Sequence, residues 1–595
     1  MLSDDPQPDD LPSSPDEPYA AVPASYRPFA SGAAGSSSGG SGGSGGTSHG
    51  LPGGMRRRGP RGVRAVVAAV VVVALLGAVG LAAWRAGQPV STSTAGPATV
   101  SAPAPGGSSS TAPGSGPTSV PRSTDHPAQL TAYYTQAVAW EPCAGSNGHQ
   151  CARIDVPVDY ADPQGDTFEL ALRKVPALDP AKRIGSLLIN PGGPGASGLE
   201  YAQYSSYLFS KQVREAYDII GFDPRGIGES QAVACLSDDD MDLLVDSDPT
   251  PDSAVERKKL LADVAAVTRD CAAAGGDRAL HMSSTEVARD MDVIRALVGD
   301  QKLSFFGVSY GTFLGALYAD LFPQRVGRFV LDSAVSPNQT EAEKLDFDIE
   351  GFESSMQAFI EWCVGRDDCA LGDEPRLAEG RIIELLDAVD RRPLSTTKGD
   401  IDSIGEGWLG FAIFMCLYSE STWPTLNRGL AEALEGKGDI LLAHAMAVLG
   451  RSPAGEYDNG SYLQAMIPVR CADWPRSDPA VLAATQRRVR AEHPLWARLS
   501  GELYDACVGW PGKGRQPSGR TLAVGAAAVL VVGNLRDPAT PIGGARQLAE
   551  DLDSAILVTS DHDGHGTYYA GNSCVDLIVD GYLLKGTVPS SDRVC

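Results

Sequence analysis

The chain has 595 residues, of which 67 are glycine and 42 are proline, more than packed helices and strands alone accommodate, so part of it is linker. Hydrophobic residues make up 43% and charged residues 21%, which excludes wholesale disorder and leaves enough chain for a large buried core. The formal net charge is −25; residues 1–127 hold 8 basic and 7 acidic side chains, so −26 falls on residues 128–595, and a body of that sign is not expected to bind nucleic acid or another polyanion.

Residues 1–64 start acidic and proline-rich and become a Gly/Ser repeat (GGSGGSGG), with too few large apolar side chains to offset the entropy of folding, so they read as a disordered cytoplasmic tail. Ala65–Trp84 follows without a charge; its 20 residues, at about 1.5 Å of rise each, reach across a hydrocarbon layer of roughly 30 Å. Arg56, Arg57, Arg58, Arg61 and Arg64 precede it and only Arg85 follows closely. That bias keeps the N-terminus inside and exports the rest. A cleavable signal peptide behind a long leader is the alternative, but the apolar run is long for one. Residues 85–127 form a tether: from 87 to 127, 34 of 41 are Pro, Gly, Ser, Thr or Ala.

Beyond the tether, short β-branched runs alternate with helical patterns: RIDVPV, FELALRKV, SLLIN, YDIIGFD, an amphipathic stretch from Ser284 to Leu297, then LSFFGVS and RFVLDSAV. This is the rhythm of an α/β sheet. After about 190 residues without comparable strands, AAVLVVGN and AILVTS resume it. The intervening FIEWCVG, RIIELLDAV and GLAEALEG have helical periodicity, which suits a cap over the C-terminal edge of the sheet, where open parallel sheets bind ligands. The expected architecture is a sheet core over 128–335 and 521–595, interrupted by a mostly helical cap over 336–520.

Gly307-Val308-Ser309-Tyr310-Gly311 fits GxSxG, in which small residues flank a serine on a tight strand-to-helix turn. The pattern alone is weak, since Ser37, Ser41 and Ser44 in the Gly/Ser tail match it too. Context separates Ser309: it follows the apolar run Leu303–Phe306 and precedes TFLGALYA, a helix whose N-terminal amides would face an oxyanion. A serine nucleophile needs a base, and imidazole is the usual one. The order Ser, acid, His of α/β-hydrolases leaves His562 and His565, after AILVTS, as candidates. His565 in DGHG, flanked by glycines, is favoured. The orienting acid has to end a strand between the two. Asp537, just past Val529–Gly533 and stiffened by Pro538 and Pro541, is preferred; Asp332 at the end of RFVLD is the rival. In NPGGPGASG (190–198), Pro191 and Pro194 carry no N–H, so the oxyanion donors are expected to be the amides of Gly193 and Tyr310, with Gly192 as the alternative. No nucleotide-binding glycine motif stands at a strand–helix junction and no CxxC occurs, so neither a cofactor nor a metal is expected.

All 11 cysteines lie between Cys143 and Cys595, and that density behind an export signal favours disulfides. Nearest-neighbour pairing joins Cys143 with Cys151, Cys235 with Cys271, Cys363 with Cys369, Cys471 with Cys507 and Cys574 with Cys595, leaving Cys416 over.

These motifs, with CARIDVPVDY, FDPRGIGES, RDPATP and the C-terminal DLIVDGYLLKGTVPSSDRVC, resemble the exported tripeptidyl-aminopeptidase-like branch of the prolyl iminopeptidase family of α/β-hydrolases, over nearly all of residues 135–595. The resemblance implies a serine exopeptidase, or in some relatives an esterase, with Ser309, Asp537 and His565 as triad. It also implies that acidic groups under the cap read the free amine of a peptide substrate. Glu420 in CLYSES and Asp473 in CADWP are the candidates for that task, and Thr540 in RDPATP is expected to support Asp537 or line the pocket. A cell-envelope ester hydrolase with the same triad and a membrane-tethered binding module with a dead hydrolase fold are the competing readings. On the favoured one, the protein sits in the cell membrane through one helix, its catalytic body outside.

Overall fold

Twelve strands form the β structure of the computed structural model, which describes residues 126–595 other than 147, 458–461, 475, 513 and 515–519. The expected tail, the apolar segment 65–84 and all but the end of the tether lie outside the described residues; among those described, no helix is long and apolar enough to cross a membrane. The strands are β1 (Glu141–Pro142), β2 (Gln150–Pro157), β3 (Thr167–Val175), β4 (Gly185–Asn190), β5 (Tyr217–Phe222), β6 (Leu303–Val308), β7 (Val326–Asp332), β8 (Leu394–Ser395), β9 (Ser403–Ile404), β10 (Val529–Arg536), β11 (Ala555–Asp563) and β12 (Arg593–Val594). Ten of them make one sheet in the order β1-β2-β3-β5-β4-β6-β7-β10-β11-β12. β3 runs antiparallel to both its neighbours, whereas every pair from β5 to β12 is parallel. This is the α/β-hydrolase sheet.

Both faces of the central strands are covered, and those strands are accordingly apolar in sequence on both sides, whereas β2 alternates buried and exposed residues. Leu187, Ile189, Phe306, Val330 and Val532 point to one face, where Phe209, Val213, Val579 and Leu583 pack. Leu188, Phe305, Phe329, Leu331 and Val531 point to the other, against Met291, Ile294, Leu314 and Leu317. The last four come from two helices: Ser284–Leu297, with the bounds its amphipathic pattern predicts, and Tyr310–Leu321, which leaves the end of β6.

Between β7 and β10 lie the helices of the cap, among them Glu341–Val364, Pro375–Arg391, Glu406–Cys416, Trp423–Leu434, Asp439–Leu449, Tyr462–Asp473, Pro479–Glu492 and Pro494–Ser500, with the β8–β9 hairpin. Segments ahead of β6 also contact the cap. Helices Asp238–Val245 and Ala254–Leu280, which the sequence reading left in the first part of the core, pack against it: Arg451 pairs with Asp242 at 2.5 Å, Arg257 with Glu502 at 2.6 Å, and the Gln464 amide oxygen accepts from the Cys235 N–H at 2.7 Å. Local periodicity shows that a segment is helical but not which layer receives its apolar face.

Five disulfides join the pairs expected from nearest neighbours, Cys143–Cys151, Cys235–Cys271, Cys363–Cys369, Cys471–Cys507 and Cys574–Cys595. Cys416 is free and buried.

Candidate active site

Ser309 follows β6 directly and holds φ 58° and ψ −129°, a left-handed conformation that side-chain-bearing residues avoid. The turn is tight on both sides. A Cβ on Gly307 would come within 2.6 Å of the Gly311 carbonyl oxygen, and one on Gly311 within 2.6 Å of the Asn190 carbonyl oxygen, so the two glycines of the motif are required by close backbone approach. The Ser309 amide donates to the Asp332 carbonyl at 2.9 Å, and the Thr312 hydroxyl donates to the Ser309 carbonyl at 2.6 Å. The helix Tyr310–Leu321 begins at the next residue, its N-terminal amides turned toward the serine.

The NPGG loop seats on this turn: a Cβ on Gly192 would stand 2.6 Å from the Val308 carbonyl oxygen and 2.9 Å from the Tyr310 nitrogen. The Gly192 amide itself donates to Asn190 Oδ1 at 2.9 Å. That bond removes Gly192 as the alternative donor and leaves Gly193, with Tyr310, as the candidate oxyanion pair.

Asp537 stands just past β10 and is fully buried. Its Oδ1 accepts from the amides of Ala539 and Thr540, both at 2.9 Å, and its Oδ2 from the Thr540 hydroxyl at 2.9 Å. Both oxygens lie 3.0 Å from His565 Nδ1. With Nδ1–H donating to the carboxylate, the other ring nitrogen is the basic one. That atom, Nε2, is buried and makes no hydrogen bond in the structure.

The loop carrying His565 is tied down residue by residue. Asn534 Nδ2 donates to the carbonyls of Gly564 (2.9 Å) and Gly566 (3.1 Å); the Gly566 amide donates to Ser333 Oγ at 2.9 Å. Asp332 Oδ2 accepts from the amides of Thr567 (3.1 Å) and Tyr568 (2.9 Å). Asp332 therefore anchors the histidine loop through its side chain and the serine through its carbonyl. Burial raises its carboxyl above the usual range, and it does not contact the imidazole as an orienting acid would. His562 sits within β11, partly exposed. The cap closes on the same loop: the His565 amide donates to the Tyr418 carbonyl at 2.9 Å, Ser419 bridges Gly564, and the Tyr418 ring meets the imidazole edge-on at 5.1 Å.

Of the three residues expected at the substrate site, Thr540 takes the first of its two expected roles, Asp473 is buried with protein donors on it, and Glu420 is exposed. Thr540 is buried and its hydroxyl donates to Asp537, so it supports the acid and does not line a pocket. Asp473 is buried beneath the cap with three donors on it: the Ser284 amide at 2.8 Å, the Ser284 hydroxyl at 2.5 Å and the Tyr310 hydroxyl at 2.9 Å. Burial nevertheless pushes its carboxyl up to about 6. Glu420 is exposed at the cap edge; desolvation and the adjacent Asp563 raise its pKa, while Arg536 pairs with Asp563 at 2.5 Å and Asp561 at 2.7 Å. Sequence reasoning missed Ser284, Tyr418 and Asn534, whose hydrogen bonds reach residues far along the chain and leave no local pattern, and also the Asn190 side chain, whose bond to Gly192 is local. Among the described residues, Asp248, Asp390 and Glu406 form a carboxylate group close enough for a cation, but Arg498 already pairs with Glu406 at 2.8 Å.

A serine on a strained strand-to-helix turn, a buried Asp–His pair at the ends of β10 and β11, and a glycine loop against the serine define a serine hydrolase. Residues 492–595 match the family described as TAP-like protein. The chain is 35% identical over 479 residues to serine protease Hip1 of Mycobacterium tuberculosis, covering 77% of this chain and 91% of that protein. It is 30% identical over 473 residues to tripeptidyl aminopeptidase of Streptomyces lividans (77% and 86%) and 33% identical over 460 residues to carboxylesterase B of M. tuberculosis (75% and 86%). The chain belongs to the tripeptidyl-aminopeptidase-like family of α/β-hydrolases, and it is a serine hydrolase of the peptidase class.

Proposed function

We propose that this enzyme is an aminopeptidase that releases short peptides from free N-termini through an acyl-enzyme on Ser309. The observation that carries the triad is the buried Asp537–His565 pair, with its basic nitrogen uncommitted, on a loop fastened through Asp332 to the serine turn. Ser309 Oγ attacks the scissile carbonyl as His565 Nε2 takes its proton; Asp537 stabilises the imidazolium and fixes the tautomer. The negative oxygen of the tetrahedral intermediate receives hydrogen bonds from the amides of Gly193 and Tyr310. His565 then protonates the departing amine, and the same base activates water to release the acyl group.

Asp473 already accepts from three protein donors, so we assign the substrate's ammonium group to Glu420 at the cap edge, where the neighbouring Asp563 adds negative potential. The test is hydrolysis of one tripeptide p-nitroanilide with its N-terminus free and acetylated. Acetylation should lower kcat/KM by a factor of roughly 100 if the amine is read. Equal rates would instead favour the esterase reading, which the similarity to carboxylesterase B supports. The uncharged run 65–84 with its arginine flank, and a body with five disulfides, support a membrane-anchored enzyme facing an oxidising compartment. Protease shaving of intact cells should remove the body, and protection of it would reject that topology.

A further inference from the structure

Two cap contacts fall on the groups that this reading makes catalytic. Tyr418 and Ser419 hold the backbone of the His565 loop. Asp473 and Trp474, at the end of the cap helix Tyr462–Asp473, hold Tyr310, the residue whose amide follows the nucleophile. The Tyr310 hydroxyl donates to Asp473 Oδ2 at 2.9 Å and also meets the Ser284 hydroxyl. Its ring stacks on Phe313 at 5.5 Å, and Trp474 lies 6.5 Å from Tyr310 and 5.3 Å from Phe313. Asp473, Ser284 and Tyr310 are all buried. The cap helix is itself fastened, because Cys471, two residues earlier, is joined to Cys507.

We propose that Asp473 is the positioning residue of the oxyanion hole: through the Tyr310 hydroxyl it fixes the amide beside Ser309, so that seating of the cap and readiness of the hole are one event. A carboxylate that already accepts three hydrogen bonds from the protein, with its neighbours packed around it, is poorly suited to bind a substrate's ammonium group. It is well suited to lock a side chain whose main chain must not move. An oxyanion donor acts on charge that develops in the transition state, so misplacing it lowers kcat and leaves ground-state binding nearly unchanged. Asp473 is buried, so little solvent competes for these bonds, and the same burial raises its carboxyl to about 6. The inference rests on Ser309 as nucleophile, and that premise is checked separately: Ser309→Ala must be inactive and a fluorophosphonate must label Ser309 in the unaltered protein.

The test compares Asp473→Asn, Tyr310→Phe and the double variant on two substrates, a free tripeptide p-nitroanilide and p-nitrophenyl acetate, which has no amine. The positioning role predicts that each single variant loses about tenfold in kcat on both substrates with KM changed by less than about twofold, and that the double variant is no worse than either single one. A loss confined to the peptide and carried by KM would make Asp473 an amine-binding residue and overturn the proposal; additive losses, or unchanged kcat in a folded variant, would overturn it as well. If Asp473→Asn does not fold, Tyr310→Phe decides alone, since it deletes one hydroxyl and leaves both Ser284–Asp473 bonds in place. An equal kcat loss on both substrates then supports the role, and no loss rejects it. A labelled Ser309 with failed coupling would refute the positioning role while leaving the hydrolase reading intact.

Discussion

Ser309 is held in a conformation that costs a side-chain-bearing residue about 1–3 kcal/mol, and its surroundings compel that conformation: its amide is bound to Asp332 and the glycines on either side leave no room for another path. Alanine keeps the strain and glycine relieves it. Ser309→Ala should therefore abolish turnover with little change in stability, whereas Ser309→Gly, equally inactive, should be more stable than the alanine variant by about 1 kcal/mol, the relief being reduced by the extra backbone entropy glycine loses on folding. Urea unfolding of the two variants measures the difference, and a glycine variant less stable than alanine would mean that the turn stores no strain. His565→Ala and Asp537→Asn should each cost orders of magnitude in kcat, since the three act as a unit, while His562→Ala should remain active. Ser309, Asp537 and His565 were legible as candidates because each sits in a glycine- or proline-marked turn at a strand end, in a fixed chain order. The surroundings of Asp473 and Glu420 were not, because a carboxylate's letter carries neither its burial nor its hydrogen-bond partners.

Strands buried on both faces announce themselves as apolar runs, which is why the central parallel strands of the sheet were readable, while β2 showed itself by alternating exposed Arg153 and Asp155 with buried Ile154 and Val156. β1 and β12, of two residues each, are too short to carry a pattern. The cap helix Glu406–Cys416 was hidden for the opposite reason: all of its residues are buried, so it has no polar face to set a period. Its first residue has a measurable consequence. Desolvation, reinforced by Asp390 and Asp248, pushes the Glu406 carboxyl up to about 8 against the opposing effects of Arg498 and Thr250. A folded value above the ordinary 4.5 means that the folded chain holds a proton the unfolded chain releases, so Glu406 contributes stability below that ordinary value and loses it as the pH rises toward 8. Glu406→Gln mimics the protonated form and has no such dependence. The melting temperature of the unaltered protein should accordingly fall relative to that of the variant between about pH 5 and pH 8.5; parallel curves, or the opposite trend, would show that Glu406 is ionised in the folded cap.

At the scale of the whole molecule, the excess of carboxylates acts on anything that approaches the cap. Residues 128–595 carry a net charge of −26, and Glu420, Asp561 and Asp563 gather at the cap edge beside the histidine loop, only partly balanced by Arg536. Such a field draws a cationic substrate toward the site over a distance set by the Debye length, about 10 Å at 0.1 M salt. A free peptide N-terminus is a cation, whereas an acetylated peptide or a simple ester is neutral. Raising the salt from about 0.02 to 0.2 M should then lower kcat/KM several-fold for a free tripeptide p-nitroanilide, and leave p-nitrophenyl acetate nearly unaffected. The loss should appear in kcat/KM and not in kcat, because screening weakens encounter and binding while the Asp537–His565 pair, fully buried, is screened far less. Equal salt dependence for the charged and the neutral substrate would show that the negative surface does not steer the amine, and would leave discrimination between them to short-range contacts inside the cap.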